Sequence, residues 1–211
     1  MTTSASKLTG NDTRERILAT GEQLILGKGF SALGLSEILS ASGVPKGSFY
    51  HYFASKEAFG VALIERYFQE YHQQLRTMFG DQHHTPANRL LQYFEFWLTT
   101  TRQSQCHKLC LAVKLAAEVS DLSQSMRQAL AQGMQTVIDL IAAVLEEAMQ
   151  QGELAAGQDV QHLATTLYSQ WVGASLLTKV YLQTAPLEAA WLQTRQLLQT
   201  ESGLPATEHK V

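Results

Sequence analysis

Apolar residues recur along this chain at spacings of three and four, and alternating β-branched runs bounded by turn pairs do not occur. The pattern predicts an all-α protein of about nine helices. The first spans Asp12 to Lys28: Asn11 or Asp12 caps it, Ile17, Leu18, Leu24 and Ile25 form its apolar face, and Gly29 ends it. A short second helix starts at Ser36 with Ile38 and Leu39 inward and Gly43 just past its end. A third opens near Pro45, a residue favoured in a first turn, and stops before Ser55. Two short helices joined by the tight turn "SGVPK", packed behind a longer one, are what a helix-turn-helix head requires.

Ser55 then caps a long fourth helix whose apolar positions Phe59, Leu63, Tyr67, Tyr71, Leu75 and Met78 keep one face. "GDQHHTP" breaks it, and Pro86 opens a fifth helix rich in aromatics (Tyr93, Phe94, Phe96, Trp97). A sixth is expected from about Ser104 to Ser120, and a seventh from Leu122 to Gln151 with Met126, Leu130, Met134, Val137, Ile141 and Leu145 in register. After "QGELAAGQD" come an eighth from Val160 to Thr184 (Leu163, Leu167, Trp171, Leu176) and a ninth from Pro186 (Leu187, Trp191, Leu197, Leu198). Trp171 and Trp191 have two readings, intramolecular core or contact with a second chain. The polar ends, 1–11 and 201–211, read as flexible tails, 12–56 as the head and 57–200 as a helical body.

Composition narrows the class. Of 211 residues 45% are hydrophobic and 17% charged, as in a globular chain rather than a disordered one. No apolar run reaches the roughly 18 residues of a membrane span, and "MTTSASKLTG" lacks the apolar core of a secretory signal. The expectation is a cytoplasmic protein without membrane partners, whose two cysteines sit in a reducing compartment. The net charge of −3 is unevenly spread: residues 1–60 carry six Lys/Arg against five Asp/Glu, and the remainder is acidic. That permits a small nucleic-acid-reading head on an acidic body. No metal quartet, phosphate loop or nucleophile elbow points to an enzyme or to a cofactor.

The densest chemistry lies in "VPKGSFYHYFASKEAFG". On a helix Phe49 and Phe53 fall four apart and face inward, while Lys46, Ser48, His51 and Tyr52 lie elsewhere on the circumference. The outward set combines hydroxyls, an imidazole and a cation, groups that bond base edges or phosphates, and the helix start offers backbone amides to phosphate oxygen. An aromatic-rich exposed turn with no partner is the alternative.

Gly43, Lys46, Gly47, Phe49, Tyr50, Tyr52, Phe53, Ser55, Lys56 and Glu57 stand at the spacing seen in the TetR family of transcriptional regulators, which this stretch resembles. The similarity continues upstream through "TRERILATGEQLILGKGF" and "LGLSEILSASGV". The resemblance implies that Lys46, Ser48, Tyr50, His51, Tyr52 and Lys56 contact DNA, with the Gly47 amide and the Ser36 hydroxyl at phosphate. Ser36 stands where the family more often has Thr. It also implies a homodimer built through the last two long helices, and a palindromic operator read by two heads roughly 34 to 36 Å apart.

What the body senses turns on "SQCHKLCLAVKLAAEV". Cys106 and Cys110 are one turn apart on one helix face, Ser104 caps that helix, and Lys108 and Lys114 supply cations, an arrangement that favours a reactive thiolate. The alternative is an inert, buried small hydrophobe. Cys106, His107 and Cys110 do not share one face and lack a fourth ligand for a metal. A disulfide across one helical turn exceeds the usual Cβ separation of about 3.8 Å. "CLAVKLAAEVSDLSQSMR" and "WVGASLLTKV" resemble the NemR branch of the family, repressors released by electrophiles and oxidants. That likeness puts the sensing cysteine at Cys110 and a partner lysine at Lys179; Leu109 departs from the glycine usual before the cysteine. A repressor induced by a noncovalent ligand, held in a pocket of Phe94, Trp97, Met134, Tyr168 and Trp171, is the second reading.

Overall fold

The computed structural model describes residues 10–104 and 111–199, with side chains from residue 12. Nine helices occupy these residues: α1 Gly10–Lys28, α2 Leu35–Ser42, α3 Lys46–Tyr52, α4 Lys56–Phe79, α5 Pro86–Gln103, α6 Leu111–Val119, α7 Gln124–Gln150, α8 Val160–Tyr181 and α9 Ala185–Gln199. No strand occurs among them. The expected tails fall outside the described residues, except that α1 starts at Gly10.

The helix ends follow local chemistry. Orphan amides of the first turns are accepted by the Ser55 hydroxyl from Ala58 (3.0 Å), Thr85 from Asn88 (3.4 Å), Ser123 from Met126 (3.1 Å) and the Asp159 carboxylate from His162 (3.0 Å). At the end of α2, Gly43 takes φ 63°, and the Val44 amide reaches back to the Leu39 carbonyl at 3.1 Å. Only a residue tolerant of the left-handed region turns the chain this tightly into α3. Ser104, expected to start the sixth helix, instead ends α5: its amide bonds the Thr100 carbonyl (3.1 Å) and its hydroxyl that of Thr101 (3.0 Å).

The helices form two compact units. The first comprises residues 10–70 and 111–133. The start of α4 belongs to this unit with the head helices. Phe59, on α4, is fully buried and meets Phe49 and Phe53 at ring-centroid distances of 5.7 and 5.3 Å. α6 belongs to the same unit, with Leu111, Ala112, Val113, Leu115 and Val119 buried.

The second unit comprises residues 71–104 and 134–199. In it α5, α8 and α9 pack together around Trp171. Trp171 is fully buried, stacks on Phe94 at 4.8 Å and donates its indole N–H to the Thr194 hydroxyl at 2.9 Å. Its two readings thus resolve to intramolecular core. Arg89 is also inside, 2% exposed, donating to the Phe79 carbonyl and paired with Glu147 at 2.6 Å. By length and composition alone α7 could cross a bilayer. Its buried Met126, Leu130, Val137, Ile141 and Leu145, a one-sided stripe, instead mark an amphipathic core helix.

Candidate nucleic-acid interface

The helix α3 has two sides. Phe49 is fully buried and Phe53 is 3% exposed; their rings lie 5.2 Å apart. On the other side Tyr50 is 48% exposed, its ring edge-on to Phe49 at 5.6 Å, and Lys46, Gly47 and His51 are exposed. Ser48 and Tyr52 are half-buried, with Tyr52 edge-on to His51 at 4.9 Å, which stiffens the pair. Ser36 is exposed in the first turn of α2. Two buried phenyl rings thus anchor a short helix whose opposite face carries a phenol, an imidazole and an ammonium. Such a face can meet base edges and phosphates in a major groove.

Lys56, of the expected set, is half-buried in the first turn of α4. Its ammonium donates to the Phe30 carbonyl at 2.9 Å and sits 4.6 Å from the centroid of the Phe30 ring, so it braces the head from within. Burial pulls its pKa below the ordinary value, and the Glu118 carboxylate only partly restores it.

Sequence reasoning also missed the charged groups around the α1–α2 connection. From α6, Lys114 donates to the Leu26 carbonyl at 2.6 Å, near the C-terminus of α1. One turn on, the Glu118 carboxylate accepts from the Ser31 amide at 2.5 Å. Burial pushes the Glu118 carboxyl up, but the Ser31 and Phe30 amides, the Ser31 hydroxyl and the Lys114 cation outweigh it and hold its pKa below the ordinary value. Gly29, at φ 91°, leaves room for that carboxylate: a Cβ there would stand 2.8 Å from both of its oxygens. Arg66 of α4 ties the long helix to α1, bonding Glu15 and Glu22 at 2.8 Å each and pairing with Glu70 at 3.0 Å. Nothing in the sequence pairs residues this far apart; the "GKGF" exit marks the turn but not its partner on α6.

In the sensing set, Cys106 and Cys110 lie outside the described residues. Lys179 is exposed in the last turn of α8, in the second unit. Of the expected pocket residues the four aromatics come together as packed rings: Trp97 lies 5.7 Å from Trp171 and 6.3 Å from Tyr168, and Phe94 and Trp171 are stacked; Met134 is half-buried on α7. A groove of about 700 Å³ in the same unit is lined instead by Gln73, Gln74, Thr77, Met78, Asp81 and Gln92, and it is open to solvent. No cluster of His, Cys, Asp and Glu that could hold a metal occurs among the described residues.

Comparison with known proteins finds family matches at both ends of the chain. Residues 17–63 match the model of bacterial regulatory proteins of the tetR family, and residues 86–194 match a tetracyclin repressor-like C-terminal domain. The HTH-type transcriptional repressor NemR of Escherichia coli (strain K12) is 44% identical over 92% of this chain and 98% of its own length. The transcriptional regulator AcuR of Cereibacter sphaeroides is 34% identical over 83% of this chain and 80% of its own. The crystal structure of E. coli NemR in its reduced form superposes with a TM-score of 0.86 at 43% identity, covering 91% of this chain and all of that one. These relatives are transcriptional regulators and not enzymes. The chain belongs to the TetR family and is a transcriptional repressor of the NemR type.

Proposed function

We propose that the protein is a cytoplasmic, homodimeric repressor that holds a palindromic operator through α3 and the start of α2. It lets go when a reactive electrophile or oxidant modifies Cys110, with Cys106 and Lys179 as further members of the sensing set. The two-sided α3 carries the reading: Lys46, Ser48, Tyr50, His51 and Tyr52 read or hold the duplex, and the Gly47 amide and Ser36 hydroxyl take phosphate oxygens. Lys56 belongs to this set as well, since an ammonium carries three donors and the bond to the Phe30 carbonyl uses one of them.

Self-association is supported by an exposed apolar ridge on α8 and α9. Leu176, Leu177, Val180, Tyr181, Leu182 and Leu192 are 44 to 66% exposed, and Leu176 lies outside the core that the spacing assigns it to. Leu182 holds φ 55°, a conformation costly to a leucine. A partner burying its side chain would offset that strain. Thiol sensing is supported by the likeness to NemR. The noncovalent reading has less support, since Phe94 and Trp171 already cover each other's faces.

The test is binding to a duplex selected from a random pool by the wild type, followed by fluorescence anisotropy before and after N-ethylmaleimide. Alkylation should release the wild type and leave Cys110→Ser bound. Tyr50→Ala should bind at least about tenfold more weakly, the loss of one good base contact, while melting like the wild type. A wild type that stays on DNA after alkylation refutes the thiol switch. Undiminished affinity in Tyr50→Ala refutes the assignment of the head.

A further inference from the structure

The α1–α2 connection is gripped by opposite charges from one face of α6. Lys114 and Glu118 are four residues apart and so lie one above the other. The Lys114 ammonium holds the Leu26 carbonyl, an acceptor in the last turn of α1, where a helix end favours a cation. The Glu118 carboxylate holds the Ser31 and Phe30 amides just past that end, where the chain exposes donors. Each charge meets backbone of complementary polarity, and Gly29 supplies the space. Phe30, 8% exposed, is held on its other side too: its carbonyl and ring are taken by Lys56 in the first turn of α4, the helix that follows α3 directly. The segment that sets the angle between α1 and α2 is therefore held from α6 and from the start of α4 at once.

We infer that Lys114 and Glu118 are positioning residues for operator binding: they clasp residues 26–31 and thereby hold the head in the pose that presents α3 to DNA. The inference rests on the reading of the chain as an operator-binding repressor. In that reading the clasp also has a regulatory meaning, because Lys114 and Glu118 follow Cys110 in sequence by four and eight residues. If the competent pose is one of two, loosening the clasp lowers its population, and apparent affinity falls by the same fraction.

Glu118→Gln separates this role from bulk electrostatics by sign. Removing a carboxylate from a DNA-binding protein should tighten its binding; losing the clasp should weaken it. For the full-length protein on its selected duplex we expect about tenfold weaker binding in Glu118→Gln, from one weakened charge-assisted grip. Faster hydrogen exchange at the Phe30 and Ser31 amides should accompany it, in a variant that still melts cooperatively, with a lower melting temperature at neutral pH. Lys114→Met should behave alike and Lys114→Arg should restore binding, since a guanidinium still donates to the Leu26 carbonyl. Equal or tighter binding by Glu118→Gln, with wild-type exchange at Phe30 and Ser31, overturns the clasp. If the wild type enriches no duplex, the operator reading fails, and exchange then decides the clasp alone: protection that survives in Glu118→Gln overturns it, and protection lost there upholds it.

Discussion

Replacing Arg89 by Met tests whether a buried cation stabilises the second unit. The guanidinium is 2% exposed, donates to the Phe79 carbonyl at the end of α4 and pairs with Glu147; its Nε has no partner among the described residues. Loss of a charged donor to a buried carbonyl costs about 1.5 to 3 kcal/mol. The pair with Glu147 adds at most about 1 kcal/mol, because that carboxylate is 34% exposed and screened by water. Against this, methionine no longer requires a guanidinium with an idle Nε to be stripped of water, a recovery of about 1 to 2 kcal/mol. The net expectation is a loss centred on about 1 kcal/mol and at most about 3 kcal/mol, a fall in melting temperature of roughly 2 to 4 °C per kcal/mol for a chain of this length. Thermal melting by circular dichroism measures it. Glu147→Gln should cost less than Arg89→Met, and the double variant should match Arg89→Met, since no pair is left to break. A variant that melts at or above the wild type would show that desolvation outweighs the bonds and refute the reasoning.

Two further outcomes follow from backbone strain and from titration. Leu182→Gly relieves the left-handed strain and should raise the melting temperature of dilute protein by the equivalent of about 1 kcal/mol, while weakening self-association in sedimentation; unchanged self-association would remove Leu182 from the interface. The Glu118 carboxyl has a folded pKa below its unfolded one, so its contribution is present above the ordinary carboxylate range near pH 4.5 and is lost as pH falls through the lower folded value. Glu118→Gln should therefore flatten the acid limb of a stability-versus-pH curve, and an unchanged limb would contradict the bonding described for that carboxylate.

The helices were legible because each leaves a local mark. Spacings of three and four give the faces, Ser55 and Gly43 mark ends through bonds to residues three or four away, and Pro86 marks one through its fixed φ. α3 was legible for the same reason, since Phe49 and Phe53 face inward by spacing alone. Where periodicity was ambiguous it misled. On α4, Tyr67, Tyr71 and Met78 of the expected stripe are only half-buried, while Ile64, Phe68 and Phe79, outside it, are buried. The helix meets neighbours on more than one side along its length, so no single face describes it.

By itself, then, the sequence determined the helical class, the head and the display face of α3, because each depends on residues within a turn or two of one another. Tertiary structure alone decided that Lys56 braces the Phe30 carbonyl, that Arg89 lies inside, that the aromatic set packs as core and that Glu118 holds Ser31 from 87 residues away. The physical reason is common to all four. A charge or ring spends its bonding capacity on whatever donor, acceptor or surface the fold brings within about 3 to 6 Å, and separation along the chain carries no record of that partner.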